Sequence, residues 1–183
     1  MTLVLASNSP RRAQLLFDAG YTFVRRASDI NESLPAGLPP EQAVELLAKR
    51  KGEAVARRVD EVLLSADTVV SLDGHILGKP ADAEDACRML HLLSGKTHEV
   101  YTGVYIQGAK ENFLFHEKTE VTFFELTDEE IEAYVRTGEP MDKAGAYGIQ
   151  GKGALFVERI NGDYLNVVGL PLAKTVKYLK EVL

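Results

Sequence analysis

The chain has 183 residues, a formal net charge of −6, and a composition that is 45% hydrophobic and 26% charged. That length suits one α/β domain or two small lobes sharing a sheet, and the acidic balance argues against a protein whose main partner is a polyanion, because nucleic-acid binders usually carry a basic face. A single cysteine leaves no disulfide framework; no apolar stretch approaches the about 20 residues of a membrane span, and the N-terminal apolar run is too short for a signal peptide, so a soluble cytoplasmic protein without a membrane partner is expected.

The first element is a short apolar strand over 3–6, which runs through Ser7-Asn8-Ser9-Pro10-Arg11-Arg12 into a helical pattern. Ser9 suits the N-cap and Pro10 the first helical position, leaving free backbone amides at the helix start. Arg11 and Arg12 have the wrong sign for the positive end of a helix dipole, so helix energetics alone would not choose them. Arginine forks beside free amides match phosphate oxygens, and strand-to-helix junctions are where α/β proteins bind phosphate. A solvated basic turn is the alternative.

Residues 28–40 read as a loop, and the apolar spacing of Val44, Leu47, Ala48, Val55 and Val59 predicts a long amphipathic helix over 41–59. Lys51 interrupts its apolar stripe, four residues from both Leu47 and Val55; its ammonium either snorkels to water or meets an anion. Residues 62–72 predict a buried strand that ends at the turn pair Asp73-Gly74. Asp67 lies inside it, and an ionised carboxylate there needs a cation, a metal or several donors, a structural ion pair being the plainest case. Glu32, in the polar loop, is an ordinary solvated acid unless it converges with Asp67. Such a carboxylate pair beside phosphate oxygens is how Mg²⁺ or Mn²⁺ is held.

Lys79, between Gly78 and Pro80, would usually be solvated, yet Arg11, Arg12, Lys51 and Lys79 together make a set of cations suited to several phosphates. Asp82 caps a predicted helix through Leu93, with Cys87, Ala83, Ala86 and Leu90 on its apolar stripe, and Ser94-Gly95 closes it. A strand meander is predicted over 98–107, 112–116 and 118–124, followed by a helix that Thr127 and Glu130 start as a capping box. Gly145, Gly148, Gly151 and Gly153 precede a predicted strand over 154–160, and Asn161-Gly162 predicts a hairpin into a strand over 164–168 before a last helix from Leu172. The glycines have the wrong spacing for a dinucleotide fingerprint, no phosphate-loop lysine motif is present, and the four histidines lack metal-ligand spacing. The whole reads as α/β, with a mixed, curved sheet flanked by helices and a cleft between two lobes.

On these residues the chain resembles the Maf family of nucleoside triphosphate pyrophosphatases. The match runs through residues 5–12, Glu32, Lys51, Ala66-Asp67-Thr68, Gly78-Lys79-Pro80, 93–98 and 142–151. The resemblance implies an elongated, ITPase-like α/β fold forming one domain over 1–183, a homodimer, and divalent-metal-dependent (Mg²⁺, Mn²⁺ or Co²⁺) cleavage of a nucleoside triphosphate to monophosphate and pyrophosphate. It also implies that Asp67 accepts a proton and that Arg11, Thr68 and Gln150 bear on substrate choice; from the residues themselves, Glu32 and Asp67 are expected to hold the metal, with Lys51 and Lys79 assisting. Ser7, Ser9, Arg11, Arg12, Thr68 and Gln150 would bind substrate. The run Ala146-Tyr147-Gly148-Ile149-Gln150 is similar to the subgroup that prefers dTTP and UTP, and a glutamine amide offers the donor and acceptor that an imide edge needs. Two other classes compete: a nucleotide-sensing regulator of cell division, which would gain little from paired acids, and a nucleic-acid binder using the Arg11-Arg12 and Arg25-Arg26 pairs, which the net charge disfavours.

Overall fold

The computed structural model describes every residue except Ser28, and the loop predicted over 28–40 is borne out for its described part up to the helix that starts at Pro40. The strands are β1 (Thr2–Leu5), β2 (Phe23–Arg25), β3 (Glu61–Leu72), β4 (His75–Leu77), β5 (Thr97–Gln107), β6 (Asn112–Phe123) and β7 (Val157–Asn161). The helices are α1 (Pro10–Asp18), α2 (Pro40–Glu53), α3 (Ala83–Leu93), α4 (Asp128–Val135), α5 (Tyr164–Val168) and α6 (Leu172–Val182). The strands form one seven-stranded mixed sheet in the order β2-β1-β3-β5-β6-β7, with β4 paired to β3. Its parallel and antiparallel pairings, with helices between strands, give the α/β class that the alternating pattern predicts.

The chain divides into two compact units. The first comprises Met1–Thr68, Thr102–Glu117 and Gly169–Leu183. In it β1 pairs in parallel with β2 and β3, and Val4, Leu5, Leu63 and Leu64 are fully buried. β1 is a short, continuous apolar run because a central parallel strand is covered on both faces. Helix α2 lies close on the sheet: a Cβ on Gly103 of β5 would fall 2.3 Å from the Val44 carbonyl, and one on Gly52 would fall 2.6 Å from the Tyr105 ring. Between these points Ser65 Oγ donates to the Ala48 carbonyl at 2.6 Å. Arg26 clasps Glu61 through both carboxylate oxygens at 2.8 and 3.0 Å, which ties the end of β2 to the start of β3.

The second unit comprises Val69–Tyr101 and Lys118–Val168. Asp73 and Gly74, at φ 50° and 80°, form the tight turn that the sequence announces between β3 and β4. Asp82 accepts from the Asp85 amide to cap α3, and the Thr127/Glu130 box starts α4, both as predicted. His98, Phe123, Tyr147 and Phe156 build an aromatic core, with His98 Nε2 lying 2.7 Å from the Tyr147 hydroxyl.

Several local expectations are corrected. Helix α2 stops at Glu53, so Val55 is buried beyond it and Val59 is solvent-exposed. Two of the three meander strands are one continuous strand, β6, since residues 115–119 hold no turn former. The predicted strand over 154–160 begins as a 3-10 stretch, Gly151–Phe156, before β7. Residues 164–168 are helical: Asp163 Oδ1 accepts from the Leu165 amide, and Asn166 is buried with its amide donating to the Val100 carbonyl and Thr119 Oγ1. That local cap overrides the β-branched character of the segment. On α3 the buried stripe runs through Ala86, Met89, Leu90 and Leu93, whereas Ala83 is exposed and Cys87 only half-buried, with its thiol pushed up mainly by burial.

Candidate active site

The β1–α1 junction is built as the sequence indicates. Ser9 caps α1 by accepting from the Arg12 amide at 3.4 Å, Pro10 takes the first helical position, and no acidic side chain occupies the first turn. Ser7 Oγ accepts from the Ser9 amide at 3.1 Å, so both serines shape the turn. Arg12 bends back across it: Nε donates to the Gly169 carbonyl at 2.8 Å, Nη2 to Thr68 Oγ1 at 3.0 Å and Nη1 to Ser7 Oγ at 3.4 Å. Thr68 Oγ1 in turn lies 2.8 Å from Thr102 Oγ1. Burial lowers the Arg12 guanidinium from its ordinary value; Asp67 raises it, Arg11 lowers it and Glu32 raises it. It stays cationic, and both acids and the second arginine lie within electrostatic reach of it.

The second constellation belongs to α2 and β3. Position 51 falls on the sheet-facing side of α2 beside Gly52, and Asp67 stands inside β3 with its side chain only 10% exposed. Lys51 Nζ donates to Asp67 Oδ1 and also meets Glu32 Oε1 at 2.8 Å. The Lys51 side chain is 19% exposed and that of Glu32 is 54% exposed, so one ammonium joins a buried acid to a solvent-facing one. Asp67 Oδ2 carries no hydrogen bond among the described residues. The convergence of Glu32 with Asp67 and the anionic partner for Lys51 are thereby both present.

Among the described residues no cluster of three or more His, Cys, Asp or Glu side chains could hold an ion by itself. Two carboxylates meeting at one ammonium do suit a magnesium-type ion, which takes one or two carboxylates and fills its remaining positions with water and phosphate oxygens. Glu32 and Asp67 fit that role.

The remaining predicted residues, Lys79 and Gln150, belong to the second unit, and both are exposed. Lys79 follows Gly78, whose carbonyl accepts from the Gly145 amide at 3.0 Å, so the end of the β4 hairpin is tied to the glycine-rich passage that leads to Gln150. The Gly169 carbonyl and Thr102 escape sequence reasoning. Gly169-Leu170-Pro171 does carry turn punctuation, and Gly169 sits at φ 134°, but nothing in the sequence says which side chain its carbonyl meets. Thr102 looks like any strand threonine.

Comparison with known proteins agrees with these features. The family model described as Maf-like protein matches residues 2–182. A protein named dTTP/UTP pyrophosphatase from Bacillus pumilus is 52% identical over 179 residues, 97% of this chain and 95% of its own. Another of that name from Bacillus cytotoxicus is 54% identical over 179 residues, covering 97% and 94%. Among solved structures, a HAM1 protein from Coxiella burnetii superposes with a TM-score of 0.52 at 17% identity, over 99% of this chain and 100% of that one, a likeness of fold. With a family model matched along almost its whole length and relatives more than half identical over the same span, the chain belongs to the Maf family.

Proposed function

We propose that this protein hydrolyses dTTP and UTP between the α- and β-phosphates, releasing the nucleoside monophosphate and pyrophosphate, and that residues 1–183 act as one catalytic domain. The relatives named dTTP/UTP pyrophosphatase support the substrate class. The observation that carries the chemistry is the single Lys51 ammonium shared by Asp67 and Glu32, with the Arg12 guanidinium within electrostatic reach of both acids.

In this reading the α1 amides and Arg11 receive phosphate oxygens, and Arg12 adds positive charge from a fork already fixed by Gly169 and Thr68. Water attacks the α-phosphorus in line with the departing pyrophosphate. Its proton passes to one oxygen of the Asp67 carboxylate, which leaves the other for a cation, and Lys51 steadies the group by donating to Oδ1. Lys51, Lys79 and the arginines offset charge on the pyrophosphate as the bond to the bridging oxygen breaks. A divalent cation held by Glu32 and Asp67 would supply Lewis-acid stabilisation of the phosphate oxygens. Gln150 is assigned to the imide edge of the base. A homodimer in the cytoplasm completes the proposal.

The test is to incubate the protein with each common and several modified triphosphates and Mg²⁺, Mn²⁺ or Co²⁺, then identify the phosphorus product. Pyrophosphate from dTTP and UTP is expected. Release of single phosphate would place attack at the terminal group and overturn the reaction, and no turnover of any triphosphate would favour a nucleotide sensor.

A further inference from the structure

Gln150 stands at the tip of a short loop whose two ends are held by groups outside it. A Cβ on Gly153 would lie 2.1 Å from the Gly148 carbonyl oxygen, so the segment from Gly148 to Gly153 folds back until its ends touch. On the entering side, the Gly148 amide donates to the Tyr134 hydroxyl at 3.2 Å. On the leaving side, the Gly153 amide donates to Glu139 Oε1 and the Lys152 amide to Glu139 Oε2, each at 3.3 Å. The two holding groups are themselves joined, since the Tyr134 hydroxyl donates to Glu139 Oε1 at 3.0 Å.

The space over Gly151, the residue after Gln150, is already taken. Glu139 Oε2 sits 3.0 Å from where a Cβ on Gly151 would be, and Gly151 has φ 70°, a conformation that favours glycine. Tyr134 is buried at the foot of α4, and burial raises its phenol above the ordinary value, which keeps it a donor to the carboxylate. Lys143 Nζ donates to the Glu139 carbonyl at 2.6 Å, fixing the main chain that carries the acid. Three amides on either side of one exposed side chain are therefore committed to a single Tyr–Glu pair, none of which the phosphate chemistry uses.

We propose that Tyr134 and Glu139 are positioning residues for base selection, holding the Gly148–Gly153 loop so that the Gln150 amide is presented in one orientation to the imide edge of a pyrimidine. The inference rests on the assignment of Gln150 to the base. A pyrimidine imide is distinguished from the cytosine edge by the order of donor and acceptor, so a side-chain amide free to rotate with a loose loop would bond either.

The experiment measures kcat/KM for dTTP and dCTP, with Mg²⁺, in wild type, Gln150→Ala, Tyr134→Phe, Glu139→Gln, Glu139→Ala and Tyr134→Phe/Gln150→Ala, with melting temperatures for each. Tyr134→Phe keeps the ring in the core and removes one acceptor and one donor; it should lower the dTTP-to-dCTP preference about tenfold through KM for dTTP, with kcat held within about threefold. Glu139→Gln should lose less than Glu139→Ala, because its carbamoyl oxygen can still accept. In the Gln150→Ala background Tyr134→Phe should change the ratio no further. A wild-type ratio in folded Tyr134→Phe, alongside a collapsed ratio in Gln150→Ala, overturns the positioning role and leaves the Gln150 assignment standing. A wild-type ratio in Gln150→Ala overturns that assignment and the positioning role with it. Equal losses on both nucleotides in Tyr134→Phe, tracking a lowered melting temperature, would mark a purely structural pair and also overturn the proposal.

Discussion

Lys51 of α2 and Asp67 of β3 form an ion pair in which both side chains are largely shielded from water, and the same Lys51 ammonium reaches Glu32 at 2.8 Å. Lys51→Met should therefore leave Asp67 buried beside an apolar stem and lower unfolding free energy by about 2 kcal/mol, measured by urea denaturation. Turnover should fall by about a hundredfold or more. The double variant Lys51→Met/Asp67→Asn should regain part of the stability and none of the activity.

Asp67→Asn alone should fold, because a carbamoyl oxygen can still accept from Lys51, and should lose turnover by about three orders of magnitude with dTTP. Near-normal rates from the folded variant would remove the proton-accepting role. Glu32→Gln, at a half-exposed position, should leave the melting temperature almost unchanged while raising the Mg²⁺ concentration for half-maximal rate about tenfold.

Two titrating groups predict acid sensitivity in separate windows. His98 is buried and held near a pKa of about 4 against an ordinary 6.5, because burial disfavours its charged form. The unfolded chain binds that proton first, so stability is complete above pH 6.5 and declines as pH falls from 6.5 towards 4. Melting curves from pH 7.5 to 4.5 should show this slope in wild type and lose it in His98→Gln.

Glu61 acts lower on the scale. Hydrogen bonding from Arg26, then from the Arg58 amide, holds its carboxyl at about 2 against 4.5. The contribution is present above pH 4.5 and lost as pH falls through 4.5 towards 2. Glu61→Gln should flatten the stability profile in that window and leave the His98 window intact.

Gly103→Ala should be among the most destabilising single changes in the first unit, since its methyl would fall 2.3 Å from the carbonyl of Val44. Chemical denaturation should show a loss of about 3 kcal/mol, and activity should fall with it because α2 must lift.

Much of this architecture could be read in advance where one local signal had no rival. The Ser9-Pro10 helix start, the Asp73-Gly74 turn and the Thr127/Glu130 box each satisfy backbone groups within a few residues, so no distant contact can reverse them. The helix at 164–168 was illegible because its Asp163 cap is reinforced by Asn166 reaching Val100 and Thr119, far away in sequence, against the β-branched character of the segment. The acid pair was legible as a demand rather than a contact: Asp67 in an apolar strand and Lys51 on an apolar helix stripe each lacked a partner in the text of the chain. The Gly169 carbonyl and Glu139 were hidden for a different reason. One acts through its backbone, and the other is an ordinary loop acid until Gly148 and Gly153 meet.

Helix α2 touches the sheet at Gly103 opposite Val44 and at its own Gly52, contact points eight residues apart along the helix, or about 12 Å of its axis. A rod keyed into a surface at both ends can neither slide lengthwise nor roll. Lys51 adjoins the second key, so the position of its ammonium is inherited from two missing methyl groups, and the charge that gathers Asp67 and Glu32 is set by the closeness of bare backbones.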